Sequence, residues 1–226
     1  MCSSASKFKK MEKAIKQTWA TNNHPDIKLI FYTDNEKRLF KKKNPILKGW
    51  DLILPCKDGY HNCTEKTLQS FEYMEANYNF EYLFRTNLGS YINFPKILAF
   101  LTDKPKNQFY CGIKGTFKKD DEVINFASGS GYFLSKDLIE LIVSERYSFN
   151  HDLIDDVAVG EFMANHHIDI DLKAKRLSYT DNELEYQEGA ETLNTIKNSL
   201  LYHVRLRSIN RSTDIKRMHL LFNSKF

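Results

Sequence analysis

Ile154-Asp155-Asp156-Val157 sets two carboxylates side by side at the start of an expected helix. One of such a pair can cap the backbone while the other serves as a base or holds hydroxyls; alternatively, both simply cap a solvated helix. Arg85-Thr86-Asn87-Leu88-Gly89-Ser90-Tyr91 places polar groups and a glycine directly after an expected strand. There they either hold a phosphate or ribose or do no more than turn the chain into a helix. Gly129-Ser130-Gly131-Tyr132 joins two glycines to an aromatic, which suits close backbone approach to a flat ligand, or else a β-bulge or tight turn. Leu201-Tyr202-His203-Val204-Arg205 carries a histidine within a β-like run, where a lone histidine is usually structural. Taken singly, none of the four is decisive.

The elements that would position these residues alternate in type. Lys7 to Trp19 has apolar residues at helical spacing, with Phe8, Met11, Ala14, Ile15, Thr18 and Trp19 on one face and lysines on the other. Ile27 to Thr33 reads as a largely buried strand, a helix starts near Asn35, and Trp50 to Leu54 reads as a short strand. Asp58-Gly59-Tyr60 turns the chain into a helix capped by Asn62 or Thr64 and reaching about Asn77. Glu81 to Arg85 is a further strand, followed by a helix from Phe94 or Pro95 to about Leu101. This alternation predicts an α/β fold with a mostly parallel central sheet flanked by helices. Ligands of such sheets sit beyond the carboxyl ends of the strands, which singles out the segment after Phe84-Arg85 by position. Gln108 to Ile113, Val123 to Ala127 and His166 to Leu172 read as strands, and Ser199 to Arg207 as a β-like stretch. Helices are expected from Ser135 or Lys136, with Leu138, Ile139, Leu141 and Ile142 inward, over Asp155 to Ala164, and near Thr213 to Phe222. No repeat, linker or low-complexity tract divides residues 1–226, so a single domain is expected.

With 226 residues, 42% of them hydrophobic and 27% charged, the chain is neither disordered nor a coiled coil. Lys and Arg (33) barely exceed Asp and Glu (29), and Lys41 to Lys43 has no basic-aromatic stripe beside it, so nucleic acid is not an expected partner. No apolar run approaches the ~18 residues that span a bilayer, and the start has no secretory signal, which predicts a soluble, cytoplasmic chain without a membrane span. Cys2, Cys56, Cys63 and Cys111 form no CxxC pair and read as reduced thiols. Without a secretory signal, the Asn62 and Asn210 glycosylation patterns read as chance.

In order and wording the segments resemble glycosyltransferase family 31, the β-1,3-galactosyl- and N-acetylglucosaminyltransferases and their Fringe relatives. Ala14-Ile15-Lys16-Gln17-Thr18-Trp19-Ala20 resembles the family's opening "aIRxTWg", and Ile27 to Tyr32 stands where its next strand follows. Asp58 to Thr67 is similar to "DxYxNLTxKT", Gly129 to Ser135 to "GxGYvlS", and Ile154 to Gly160 to "xEDVyvG", with His203 at the place of a late "vH". The resemblance spans nearly the whole chain. It implies a GT-A-like fold and transfer of a sugar from a nucleoside diphosphate, usually UDP, onto a glycan hydroxyl with inversion at the anomeric carbon. It implies Asp156 as base with Asp155 in reserve. Donor contacts would come from Arg85, Thr86, Asn87, Gly89, His203 and Arg205, and substrate contacts from Gly129, Ser130, Gly131 and Tyr132.

Two features depart from the family. Its aspartate triplet, which binds diphosphate and Mn²⁺, is replaced here by Asn87, Leu88 and Gly89, although Thr86 and Asn93 keep the frame. Hard divalent cations prefer anionic oxygens, so Asn87 and His203 alone would make a poor Mg²⁺ or Mn²⁺ site. No metal ligand is therefore assigned. Either Arg85, Arg205 or Arg207 with backbone N–H groups near Gly89 offsets the leaving-group charge, or the fold is a non-catalytic glycan- or nucleotide-binding module, or the diphosphate carries metal held elsewhere. The second departure is at the start, where the family's first strand should precede Cys2. That strand is expected to be shortened, or the chain to be a domain of a longer polypeptide.

Overall fold

Helices and strands are interspersed along the chain, but many strands follow one another directly instead of alternating with helices. The computed structural model describes residues 1, 6–41, 43–119, 122–180 and 201–226. In chain order the elements are α1 (Ser6–Gln17), β1 (Phe31–Asp34), α2 (Glu36–Phe40), β2 (Ile46–Lys48), β3 (Asp51–Leu54), α3 (Cys63–Asn77), β4 (Tyr82–Thr86), β5 (Ser90–Ile92) and α4 (Phe94–Leu101). There follow β6 (Tyr110–Lys119), β7 (Glu122–Ser135), α5 (Lys136–Ser144), α6 (Asp155–Asn165), β8 (Arg176–Thr180), β9 (His203–Arg207) and α7 (Arg211–Asn223). They form two compact units. One comprises residues 1–4, 30–87 and 105–174, and the other residues 5–29, 88–104 and 175–226.

The first unit holds two three-stranded sheets, ordered β1-β3-β2 and β4-β7-β6. Leu68 and Phe71 from α3, Leu138, Ile139 and Ile142 from α5, and Val157, Phe162 and Met163 from α6 share one core with Tyr132 and Leu134 of β7. In α3 and α5 the inward positions follow helical spacing and bury one stripe, whereas α6 is buried on most sides, with Val157, Ala158, Val159, Gly160, Phe162 and Met163 all inward. A smaller core joins Tyr32 of β1 to Leu52 and Leu54 of β3. The second unit holds the sheet β5-β9-β8 together with α1, α4 and α7. There Trp19 meets Phe94 edge to face at 5.8 Å, Asn93 caps α4 by accepting the Lys96 N–H at 3.0 Å, and Val204 and Leu206 of β9 are buried.

The α/β class stands, but the strand directions differ from the expected mostly parallel central sheet. Among the described residues β1 with β3 and β8 with β9 are parallel, whereas β2–β3, β4–β7, β5–β9 and β6–β7 are antiparallel. In the sheet β4-β7-β6 the reason is local: β6 and β7 are consecutive and pair antiparallel out to Lys119↔Glu122, with no crossover connection between them to make the pair parallel. β1 begins only at Phe31, because its partner β3 offers four residues. His166 to Leu172 is not a strand. His167 has φ 57°, and the segment contributes a single bridge, Cys111↔Asp171. Of the expected β-like stretch Ser199 to Arg207, residues 199–200 lie outside the described residues, as does Cys2. Among the described residues no helix is long and apolar enough to cross a membrane.

Candidate active site

A slip in strand register builds the centre of the site. β7 pairs with β4 through Arg85↔Tyr132 and Thr86↔Gly131. On its other edge four residues, Ser128 to Gly131, stand against the single Ile113 of β6. The β-bulge alternative is thus realised, and it does chemical work: polar groups of the extra residues bond to side chains rather than to the β6 ladder. The Gly129 N–H donates to Asp156 Oδ2 at 2.6 Å, and the Gly129 carbonyl accepts from Arg85 Nη1. The Ser130 carbonyl accepts from Thr86 Oγ1 at 2.6 Å. A Cβ at Gly129 would stand 2.6 Å from Arg85 Nη1 and 2.8 Å from Asp156 Oδ2, so any larger residue would have to displace one of these two side chains.

The two carboxylates open α6, and their fates diverge. Asp155 is buried; its Oδ2 accepts from Arg85 Nη2 and from Thr67 Oγ1 at 2.9 Å. Thr67 in turn lies 3.2 Å from the Tyr32 hydroxyl. Asp156 keeps partial exposure, and its Oδ1 takes the N–H of the next residue, Val157, at 3.1 Å within the first turn of α6, while its other oxygen meets Gly129. Burial pushes the Asp156 carboxyl above its ordinary range and Asp155 adds to this, while Arg85 and the Gly129 amide pull it back. Burial works against the Arg85 charge, but Asp155, with smaller help from Tyr32, Tyr132 and Asp156, outweighs it and holds the guanidinium charged. Arg85 lies 5.8 Å from the centre of the Tyr132 ring. The buried Arg85 Nε and Tyr132 hydroxyl have no hydrogen-bond partner among the described residues.

Asp58 to Thr67, for which the sequence suggests no chemical role, is bonded to this centre through Thr67 and Asp155. Gly59 has φ 112°, open to glycine and strained for other residues. Lys66 is buried and donates to Asp34 Oδ1 at 2.8 Å and Asp58 Oδ1 at 2.9 Å, fastening the end of β1 to the turn. Burial alone would lower the Lys66 ammonium, but these two bonds outweigh it and raise it. Thr64 Oγ1 donates to the Leu153 carbonyl at 2.6 Å, just ahead of the carboxylates. A Lys-Thr pair set in the apolar register of a helix was the available signal: a lysine at a core position needs buried acids.

Eight of the expected site residues are thereby brought together in the first unit: Arg85, Thr86, Gly129, Ser130, Gly131, Tyr132, Asp155 and Asp156. Asn87 ends that unit's stretch of chain; Gly89, His203 and Arg205 belong to the second. There the Gly89 carbonyl accepts the Leu206 N–H at 2.7 Å, and Arg205 faces Ser90 across the ladder. His203 is buried with Nε2 2.9 Å from Ser90 Oγ. Burial, with Arg176 and Arg205 nearby, holds its pKa well below the usual value, so the ring is neutral. A hard divalent cation does not fit this donor set. Asn87, Leu88 and Gly89 offer no carboxylate, and among the described residues no three His, Cys, Asp or Glu side chains gather as a metal ion needs.

A family model described as Galactosyltransferase matches residues 10–174. The chain belongs to the galactosyltransferase family. It is therefore a glycosyltransferase, and the family's span includes the carboxylate pair, Arg85 and the Gly129 bulge, while His203 and Arg205 lie beyond it. No curated protein matches the chain. Among solved structures, a galactosyltransferase, LgtC, crystallised in complex with donor and acceptor sugar analogs, is similar at a TM-score of 0.43 and 10% identity, over 95% of this chain and 90% of that one.

Proposed function

We propose that this member of the galactosyltransferase family is an inverting, metal-independent transferase of GT-A type, acting as one domain and moving a sugar from a UDP-sugar to a glycan hydroxyl. Asp156 is the general base. One observation carries the reading: of the two adjacent carboxylates Asp155 is committed to Arg85 and Thr67, whereas Asp156 is partly exposed and of raised basicity, held in aim by the Gly129 amide. The acceptor O–H gives its proton to an Asp156 oxygen, the acceptor oxygen bonds to the anomeric carbon, and the bond from that carbon to the diphosphate oxygen breaks with its electron pair leaving on UDP. A carboxylate made more basic by burial and by a like charge is better suited to take that proton near neutral pH.

Asp155 and Arg85 do not touch the reacting atoms; they position the Gly129 bulge and hold Asp156 in place. The replacement of the family's aspartate triplet by Asn87, Leu88 and Gly89 supports transfer without a resident metal ion. Thr86 and Asn87, at the end of β4, keep the donor contacts that the resemblance assigns them. Thermal-shift measurements with UDP-, GDP-, TDP- and CMP-sugars, each with Mn²⁺ and with chelator, test this. A UDP-sugar should raise Tm equally in both, because a ligand that binds only the native state stabilises it by mass action. A shift that requires Mn²⁺, or none with any donor, would refute the reading.

A further inference from the structure

The turn that opens α3 carries an aromatic ring that the mechanism above does not use. Tyr60 is 66% exposed although it sits between two fixed points of the active unit. On its N-terminal side Asp58 is held by Lys66 through its carboxylate and by Asn62 Nδ2, at 2.9 Å, through its carbonyl. On its C-terminal side Thr64 is bonded to the Leu153 carbonyl, two residues before the carboxylate pair. Its neighbour His61 is also exposed and meets the Tyr60 ring edge to face at 6.2 Å. Three residues into α3 from Thr64, Thr67 is bonded to Asp155 itself, so the helix that Tyr60's turn opens is tied to the carboxylate pair; partial burial, then Asp156, raises the pKa of the Tyr60 hydroxyl.

A tyrosine with an open face and a polar tip, on a turn tied at both ends to the unit that holds the general base, suits one class of ligand. Pyranose rings present a C–H face of weak positive character, which complements the negative face of an aromatic ring, and hydroxyls at the rim, which complement a phenol. We propose that Tyr60 is the platform on which the acceptor sugar lies, its ring stacked against the C–H face so that one rim hydroxyl meets Asp156. The assignment rests on the transferase reading and adds to it the residue that selects a pyranose acceptor.

Tyr60→Ala and Tyr60→Phe test it, with the methyl β-glycosides of galactose, glucose and N-acetylglucosamine as acceptor probes and UDP as donor probe. Saturation-transfer NMR and acceptor KM report the sugar, and calorimetry reports UDP. Tyr60→Ala should weaken the best glycoside about tenfold, near the upper end of what an aromatic contact supplies. Tyr60→Phe should stay within about twofold of wild type, since it keeps the ring, and UDP affinity should be the same in all three proteins. An unchanged glycoside affinity in Tyr60→Ala overturns the platform, as does a Tyr60→Phe loss equal to that of Tyr60→Ala, or a parallel loss of UDP binding. If the wild-type protein itself binds none of the glycosides and transfers no sugar to them, the transferase reading falls and the platform with it, a result told apart because it appears before any substitution.

Discussion

Replacing Arg85 by Met removes a buried cation while keeping most of its stem. Both partners of the pair are nearly inaccessible, Arg85 at 4% and Asp155 at 5% exposure, so the variant leaves a carboxylate buried beside Asp156 with only the Thr67 hydroxyl to meet it. Breaking such a pair from one side costs about 3–5 kcal/mol. With a urea m-value of about 2–3 kcal/mol/M for a chain of this size, the midpoint should fall by about 1–2.5 M. Adding Asp155→Leu to Arg85→Met removes the stranded charge, and the deficit that stays is that of the Gly129 carbonyl left without its donor, about 1–3 kcal/mol. The double variant should therefore be more stable than the single one by about 2 kcal/mol. Urea denaturation followed by circular dichroism, on wild type, both single variants and the double variant, closes the cycle. A double variant no more stable than Arg85→Met, or an Arg85→Met midpoint within about 0.3 M of wild type, would refute the pairing on which the site's geometry depends.

Other perturbations read different parts of the same centre. Because the folded-state pKa of Asp156 is raised, its contribution to stability is full below the ordinary carboxylate value of about 4 and is lost as pH rises through the raised value. Asp156→Asn should therefore exceed wild type in Tm at pH 7, with the gain vanishing toward pH 4; a loss at pH 7 would contradict the shift. Gly129→Ala drives a Cβ into Arg85 Nη1 and Asp156 Oδ2 and should lower kcat at least about tenfold, since small misplacements of a catalytic group are costly, with the acceptor KM little changed. At Gly160 a Cβ would stand 2.7 Å from the Asn125 carbonyl and 2.8 Å from Phe126 Cα. The obstacle is backbone, so Gly160→Ala should cost about 1–3 kcal/mol in urea denaturation.

The helices were legible in the sequence because their signals are local. Asn93 followed by Phe94-Pro95, and Ser135-Lys136 before an apolar stripe, mark starts that the structure keeps. β5 was hidden inside a segment read as a loop, because its partner β9 lies more than a hundred residues away and nothing near Ser90 announces it. The bulge at Gly129 was visible as a pair of glycines but not as a device. Its meaning depends on Ile113, Arg85 and Asp156, which the chain brings together only on folding. The resemblance already sets Asp156 apart as the base, but the pairing of Arg85 with Asp155 is out of the sequence's reach, since adjacency says nothing of which carboxylate Arg85 will claim.

Release of UDP from UDP-galactose in the presence of the glycoside acceptors, assayed with metal-stripped enzyme in excess EDTA and again in Mn²⁺, tests the account most directly. Wild type should turn over equally in the two conditions, and Asp156→Asn should be slower by about 10²- to 10⁴-fold in both, the contribution of a positioned base. Turnover that appears only with Mn²⁺, or that survives in Asp156→Asn, would contradict it.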